Sequence, residues 1–184
     1  TGLGAGLILN GALYDGTNGN AGECGHIRLA PFGPSGYGKI GSFEGFCSGG
    51  GIAQLGKTMA LEALQNGVSP AFCPTPADIS SVNAKTIGDA ADGGDETALA
   101  VYRKSGEMLG YGLSILADIL NPELIVIGSI FARSRHLLFD ACDAVMKKEC
   151  LAQSYAVCRV VPAALGDAIG DYAALSLALS AVKQ

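Results

Sequence analysis

The sequence is poor in charge, has no tryptophan and has no closely spaced cysteine pair. Charged residues make up 16% of the 184 positions, and the formal net charge is −5. This balance argues against nucleic-acid binding by this chain, because such a surface needs a basic face. No apolar run approaches the length of a membrane span, so we expect no membrane partner.

The six cysteines include no Cys-x-x-Cys pair and no zinc-finger spacing. No signal peptide is recognisable, and we therefore predict reduced thiols in a cytoplasmic protein. The sequence is instead rich in apolar residues, at 49%, and in glycine, with 17 of its 27 glycines in residues 2–56. This composition indicates a globular chain with a large core.

The spacing of apolar residues predicts an α/β fold. Asn10-Gly11 lies between two short apolar runs and predicts a hairpin, and residues 15–50 are predicted to be mostly functional loop. The remaining predicted elements are helices at 50–67, 83–91, 95–120, 134–148 and 170–183, and strands at 124–127 and 156–161. We expect both strands to be buried and to pair in parallel, with Ser134 capping the helix between them.

The main candidate site is the segment Gly-Asn-Ala-Gly-Glu-Cys-Gly-His at 19–26, together with Glu44 in a second glycine-rich segment. It offers three polar side chains, Glu23, His26 and Glu44. Each carboxylate can accept hydrogen bonds from two neighbouring hydroxyls, and a neutral imidazole can donate one and accept one. This combination suits a polyhydroxylated ligand. On these residues alone, a solvated loop acid and an ordinary surface histidine explain the pattern equally well.

Two further glycine segments give weaker signals. The Thr-Gly-Leu-Gly turn at 1–4 can expose N–H groups to a phosphate, although a glycine-rich strand edge is the simpler explanation. Ligands of parallel sheets bind beyond the carboxyl ends of strands, which points to Gly128-Ser129 and to Gly166-Asp167. Asp167 is also explained as a helix-start residue, an explanation that we slightly favour.

Taken together, these segments resemble the ROK family (repressor, open reading frame, kinase). The segment at 19–26 is the most specific part, and residues 1–11, 38–44, 121–128 and 165–167 also fit, so the resemblance covers essentially the whole chain. It implies an actin-like, ribonuclease-H-like ATPase fold. The chain would be its C-terminal part, with sugar-binding loops at 15–50 and a helical and α/β lobe at 51–184.

The resemblance also implies a chemistry. ROK kinases phosphorylate hexoses or N-acetylhexosamines with ATP and Mg²⁺, and Glu23, His26 and Glu44 match the residues that hold sugar hydroxyls. The matching nucleotide-binding positions are Thr1, Gly2 and Gly4 in the second phosphate element, and Gly128 with Ser129 beside the nucleoside. The family also tends to dimerise, which makes a homodimer a candidate assembly.

The sequence departs from the family at its zinc knuckle, Cys-x-Cys-Gly-x-x-Gly-Cys-x-Glu. The three cysteine positions are Ser35, Tyr37 and Ser42 here, and hydroxyl groups are poor zinc ligands beside thiolates. We therefore predict no zinc, which leaves His26, the family's fourth ligand, free to bind a hydroxyl. The remote alternative is a makeshift site of Cys24, Cys47 and His26.

The second departure concerns the catalytic base. The family's first phosphate element, of the Asp-x-Gly-Gly type, and its Asn-Asp pair are absent, and we expect both upstream of Thr1. The Asp of that pair takes the proton from the sugar hydroxyl, and losing a general base typically costs about 10²–10⁴-fold in rate. We therefore expect this chain alone to show no kinase activity.

Three functions remain open at this point. We favour an ATP-dependent sugar kinase in the intact protein. The alternative is a sugar-responsive ROK repressor, with this chain as its effector-binding domain and a helix-turn-helix elsewhere. The third is a sugar-binding or assembly module without activity. The specific sugar cannot be read from these residues, because hexose and N-acetylhexosamine sites share them.

Overall fold

The computed structural model describes residues 2–182. Thr1 of the predicted phosphate turn and Lys183, the predicted end of the last helix, lie outside these residues. The strands are β1 (Leu7–Leu9), β2 (Ala12–Tyr14), β3 (Ser35–Gly36), β4 (Lys39–Ile40), β5 (Leu124–Ile127) and β6 (Arg159–Pro162). The α-helices are α1 (Phe43–Cys47), α2 (Gly49–Gln65), α3 (Ala84–Asp92), α4 (Glu96–Leu120), α5 (Ser129–Glu149), α6 (Ala152–Val157) and α7 (Ile169–Val182). None of the helices in the described range is long and apolar enough to cross a bilayer.

The hairpin predicted around Asn10-Gly11 is confirmed as β1–β2. The two strands pair antiparallel, with Leu7 opposite Tyr14. Asn10 and Gly11 have φ values of 53° and 78°. Two positive φ values in succession define the tight turn that matches the twist of paired strands, and Asn-Gly is the pair that adopts it most readily.

Helix α4 is the centre of the core, as its predicted length and apolar faces indicate. The side chain of Asp95 caps its N-terminus by accepting from the N–H of Ala98, and Asn121 ends it with a left-handed φ of 45°. Helix α5 packs along α4 across Gly106 and Gly110, where a Cβ atom would collide with carbonyl groups of α5. The two glycines therefore set how closely the two longest helices approach each other.

The segment 15–50 is mostly loop, as predicted, and the remainder is ordered into short elements. The hairpin β3–β4, a 3₁₀ turn at Cys24–His26 and helix α1 all lie within it. Helix α1 forms because the Ser42 Oγ accepts from the N–H of Gly45 at 3.1 Å. The Phe43 ring next to this cap is buried, and it lies so close to Gly112 of α4 that a Cβ there would collide with it. Residue 44 is thereby held in the first turn of a helix anchored on the core.

The predicted parallel pair is confirmed. Strands β5 and β6 run parallel with Leu124 opposite Arg159, and α5 is the crossover between them. The prediction that both strands are buried on both faces is wrong. Val126 is 56% exposed, whereas Ile125 and Ile127 pack against the helices. One face of β5 therefore packs on the helices, and the face that carries Leu124 and Val126 is exposed.

Two predicted boundaries around β6 and α5 are also wrong. Residues 152–157 form helix α6, so the second strand begins at Arg159 rather than at residue 156. The Tyr155 hydroxyl donates to Asp143 at 2.9 Å and fixes α6 on α5. Ser134 does not cap α5, which begins directly after β5, but lies at a kink inside it with φ −119° and ψ 30°.

Candidate functional site

Three segments distant in sequence meet at the candidate site: residues 2–5, the segment 22–26 and the first turn of α1. The N–H of Ala5 donates to the carbonyl of Gly22 at 2.8 Å. A Cβ on Gly22 would collide with the Ala5 carbonyl, and one on Gly25 would collide with that of Leu3. Glycine is thus required at both positions for the two backbones to lie side by side.

Glu44 joins the third segment to the first. Its half-buried side chain accepts a hydrogen bond at Oε2 from the N–H of Leu3, at 2.9 Å. A Cβ on Gly2 would collide with the same carboxylate. The glycine turn predicted to hold phosphate therefore packs directly on the carboxylate predicted to hold sugar.

Glu23 precedes the 3₁₀ turn Cys24–His26, and His26 is the last residue of that turn. Cys24 and Gly25 are buried and anchor the turn, whereas the side chains of Glu23 and His26 are exposed. Within residues 2–182, no hydrogen bond to either side chain is found. Glu23 also lines an open cleft of ≈ 300 Å³ with Asn20, Leu116 and Ile119. Both polar side chains are therefore available to a ligand.

The glycines at the carboxyl end of the parallel strands form a separate group. Gly128 precedes the first turn of α5 without a side-chain cap, and Ser129 has a left-handed φ of 56°. The described residues contain no hydrogen bond between Gly128 or Ser129 and the three predicted sugar-binding side chains. Close to these residues, α5 meets the start of α2, where a Cβ on Gly49 would lie 3.0 Å from the Ile130 side chain. The side chain of Asp167 lies outside the described residues.

The donor atoms at the former knuckle do not fit zinc. The buried Ser42 hydroxyl is engaged as the cap of α1, and the Tyr37 side chain is 91% exposed. Burial raises the pKa of the Cys24 thiol, and desolvation raises that of Cys47 well above its usual range. Raised pKa values oppose the loss of the thiol proton that zinc binding requires. No group of three or more His, Cys, Asp or Glu side chains that could hold a metal is found among residues 2–182.

We accordingly expect chelation to leave this chain unchanged. Dialysis against EDTA should leave the Tm unchanged, because hydrogen bonds rather than a metal fix the segment 33–42. The comparison is a variant with Ser35, Tyr37 and Ser42 all replaced by cysteine, which should bind zinc and become sensitive to EDTA. Stoichiometric zinc in the purified native protein, lost together with thermal stability on dialysis, would contradict this expectation.

Sequence reasoning missed the residues that support the site. The side chain of Gln54 pairs with the backbone of Ser35, accepting from its N–H at 3.0 Å and donating to its carbonyl at 2.9 Å. Lys39 Nζ donates to the carbonyl of His26 at 2.7 Å. These contacts join side chains to backbone across turns, and no periodicity or motif signals them. The glycines at 36, 38 and 41 were the available hint that backbones approach closely here.

Comparison with known families gives a match over nearly the whole chain, since the family model described as "ROK family" matches residues 1–181. A glucokinase of Halalkalibacterium halodurans is 38% identical over 131 residues, which are 70% of this chain and 38% of that enzyme. The DNA-binding transcriptional dual regulator NagC of Escherichia coli is 32% identical over 151 residues, 82% of this chain and 35% of the regulator. The chain thus spans little more than a third of the length of either relative.

Among solved structures, one similar chain is a ROK family glucokinase from Streptomyces griseus in complex with glucose and AMPPNP. It superposes with a TM-score of 0.77 at 28% identity, and the match covers 92% of this chain and 55% of that one. The arrangement of helices and strands described above therefore recurs in a sugar kinase.

Proposed function

This chain belongs to the ROK family, and from that premise we propose that the intact protein transfers the γ-phosphoryl group of ATP to a hexose or N-acetylhexosamine. Its fold is the actin-like ATPase fold of ROK sugar kinases. The observation that carries the proposal is the Glu44 carboxylate. It is tied through one oxygen to the N–H of Leu3 in the glycine turn, while within residues 2–182 its other oxygen has no hydrogen bond.

In this proposal Glu23, His26 and Glu44 bind and orient the sugar. Each carboxylate accepts from hydroxyl groups, and the His26 ring fixes one further hydroxyl. The hydroxyl oxygen attacks the γ-phosphorus as the bond to ADP breaks, and its proton passes to a general base that we place outside residues 1–184. The contribution of this chain is then mainly positioning, which is a large part of catalysis in phosphoryl transfer.

The nucleotide is assigned to the two glycine segments. Backbone N–H groups at Gly2 and Gly4 can reach phosphate oxygens beside Glu44, because these residues carry no Cβ. The first turn of α5 presents uncapped N–H groups after Gly128 and Ser129, which is a favourable environment for an anion. Mg²⁺ enters this proposal bound to the phosphates of ATP, where it neutralises their charge.

The second candidate is a sugar-responsive repressor, and the 32% identity with NagC favours it. In a repressor, the same three side chains would bind an effector sugar without turnover. The two functions separate in one experiment on the intact protein, namely ADP release with ATP, Mg²⁺ and a panel of hexoses and N-acetylhexosamines. Sugar-dependent ADP release supports the kinase. Sugar binding without ADP release, together with sugar-dependent DNA binding, supports the repressor.

Glu23→Gln should raise the sugar KM of the intact kinase by about tenfold or more, since a hydrogen bond to a charged group contributes about 1.5–3 kcal/mol. The exposed Glu23 side chain has no other hydrogen-bond partner within residues 2–182, so the Tm should stay unchanged. Glu62→Gln, at an exposed position of α2, serves as the matched control. An unchanged sugar KM in Glu23→Gln would remove Glu23 from the site.

A further inference from the structure

The tip of the β3–β4 hairpin carries a residue that its backbone does not favour. Tyr37 and Gly38 form the two-residue turn, with φ values of 45° and 75°. Such a turn favours Asn, Asp or Gly at its first position, and a bulky aromatic residue with positive φ is an outlier. The Tyr37 side chain is 91% exposed, so burial of the ring does not compensate for the strain. Strained residues that persist in this way concentrate at ligand sites.

The position of the Tyr37 ring is tied to that of His26. The two rings meet edge to face, with centroids 6.3 Å apart and planes at 74°. Lys39, which follows the turn, donates from Nζ to the His26 carbonyl at 2.7 Å. On the other strand, the Gln54 side chain pairs with both backbone groups of Ser35. The hairpin is thus fixed to the His26 segment through one strand and to helix α2 through the other.

We propose that Tyr37 is a sugar-stacking residue that selects a pyranose ring, an inference that rests on the proposed sugar site at His26. A pyranose presents hydroxyls at its edge and a face of C–H bonds. The tyrosine ring is an apolar body with a polar tip, which suits contact with such a face. A ligand whose hydroxyl is bound by the His26 imidazole lies within reach of the neighbouring Tyr37 ring.

This contact predicts a preference that hydrogen bonds alone do not give. D-glucose and its open-chain polyol, sorbitol, offer similar hydroxyl groups, but only the pyranose has a flat C–H face. The intact protein should therefore bind D-glucose or N-acetyl-D-glucosamine more tightly than sorbitol, and Tyr37 should account for part of that difference. Tyr37 stands where the ROK zinc-knuckle pattern has a cysteine, and here that position would contribute to ligand selection.

The test is calorimetric titration of the intact protein with these three ligands, combined with thermal unfolding. Tyr37→Gly should raise the Kd for the preferred pyranose by about fivefold or more, as expected for the loss of one aromatic contact. The ratio of the sorbitol Kd to the pyranose Kd should therefore fall. Its Tm should be equal to that of the parent or higher, because glycine relieves the positive φ. Tyr37→Phe should bind within about twofold of the parent, since the ring is kept.

The control is Phe32→Ala, which removes another exposed aromatic side chain of the same region, 76% exposed, and should leave the Kd unchanged. If Tyr37→Gly does not fold, Tyr37→Asn decides, since asparagine tolerates a left-handed backbone. Pyranose affinity equal to that of the parent in the folded variant would overturn the stacking role. A lower oligomeric state at unchanged affinity would overturn it in favour of a protein interface. Absence of hexose binding by the parent protein would instead overturn the proposed function, and the stacking role with it.

Discussion

Replacing Glu44 with alanine in the intact protein is expected to weaken hexose binding by about 100-fold or more. The carboxylate is proposed to accept from a sugar hydroxyl, and it accepts from the N–H of Leu3 at 2.9 Å. Hydrogen bonds to a charged group contribute about 1.5–3 kcal/mol each, and a half-buried N–H left without a partner adds its own penalty. Calorimetric titration with D-glucose and N-acetyl-D-glucosamine measures the loss.

A second substitution separates the two roles of Glu44. In Glu44→Gln the amide oxygen can still accept from Leu3, so the Tm should stay near that of the parent. Affinity should fall by only about tenfold, because a neutral hydrogen bond replaces a charge-assisted one. Glu62→Ala, at an exposed position of α2, is the matched control. Equal hexose affinity in Glu44→Ala and Glu62→Ala would exclude Glu44 from the site.

Local sequence signals predicted the fold well where one segment determines its own structure. Asn10-Gly11 sets the first hairpin because both residues tolerate positive φ, and Asp95 and Asn121 bound the longest helix because one caps it and the other turns left-handed. The signals failed where another part of the chain decides. Residues 152–157 are compatible with strand or helix, and they form a helix in contact with α5, with the Tyr155 hydroxyl bound to Asp143. Tertiary contacts regularly override such weak preferences.

The residues of the candidate site could be predicted from the sequence, but their arrangement in three dimensions could not. Spacing among glycines, together with the family resemblance, selected Glu23, His26 and Glu44. The hydrogen bond from Leu3 to Glu44 joins a backbone N–H to a side chain 41 positions away, and no sequence pattern in either segment predicts it. The hairpin tip was missed for a related reason, since Tyr37 is not a residue that such turns usually contain. Its ring contact with His26 is visible only in three dimensions.

These details place the backbone of residues 2–5 within the proposed sugar site. The same residue, Leu3, donates through its N–H to Glu44 and presents its carbonyl to Gly25. Anything that moves Leu3 should therefore move both the carboxylate proposed to bind sugar and the glycine turn proposed to bind phosphate. The two substrate sites would be coupled by packing over one residue rather than by a side-chain network.

Gly25→Ala tests this coupling and is expected to have the other large effect. A Cβ at residue 25 would collide with the Leu3 carbonyl and lie 3.3 Å from the Glu44 Cβ. Gly25 is buried, so the strain cannot be relieved into solvent. We expect destabilisation of about 1–3 kcal/mol, the usual cost of overpacking. For a protein of this size or larger, that lowers the Tm by roughly 2–10 °C. Because Leu3 is displaced from Glu44, the Kd for hexose should rise by about tenfold or more even where the variant is fully folded.

Gly6→Ala is the matched control, because it adds the same methyl group in the same region. No heavy atom lies within 4 Å of a Cβ at residue 6, and its φ is not left-handed. Its free energy of unfolding should lie within about 0.5 kcal/mol of the parent's, as for other surface substitutions away from special features. Its Kd for hexose should equal that of the parent. If Gly25→Ala lowered the Tm but left the hexose Kd of the folded protein at the parent value, Leu3 would support the fold without positioning Glu44. Comparison of the Tm and the hexose Kd of Gly25→Ala and Gly6→Ala therefore tests the contact of residues 2–5 with the Glu-x-Gly-His segment. It shows whether that contact serves stability alone or sugar binding as well.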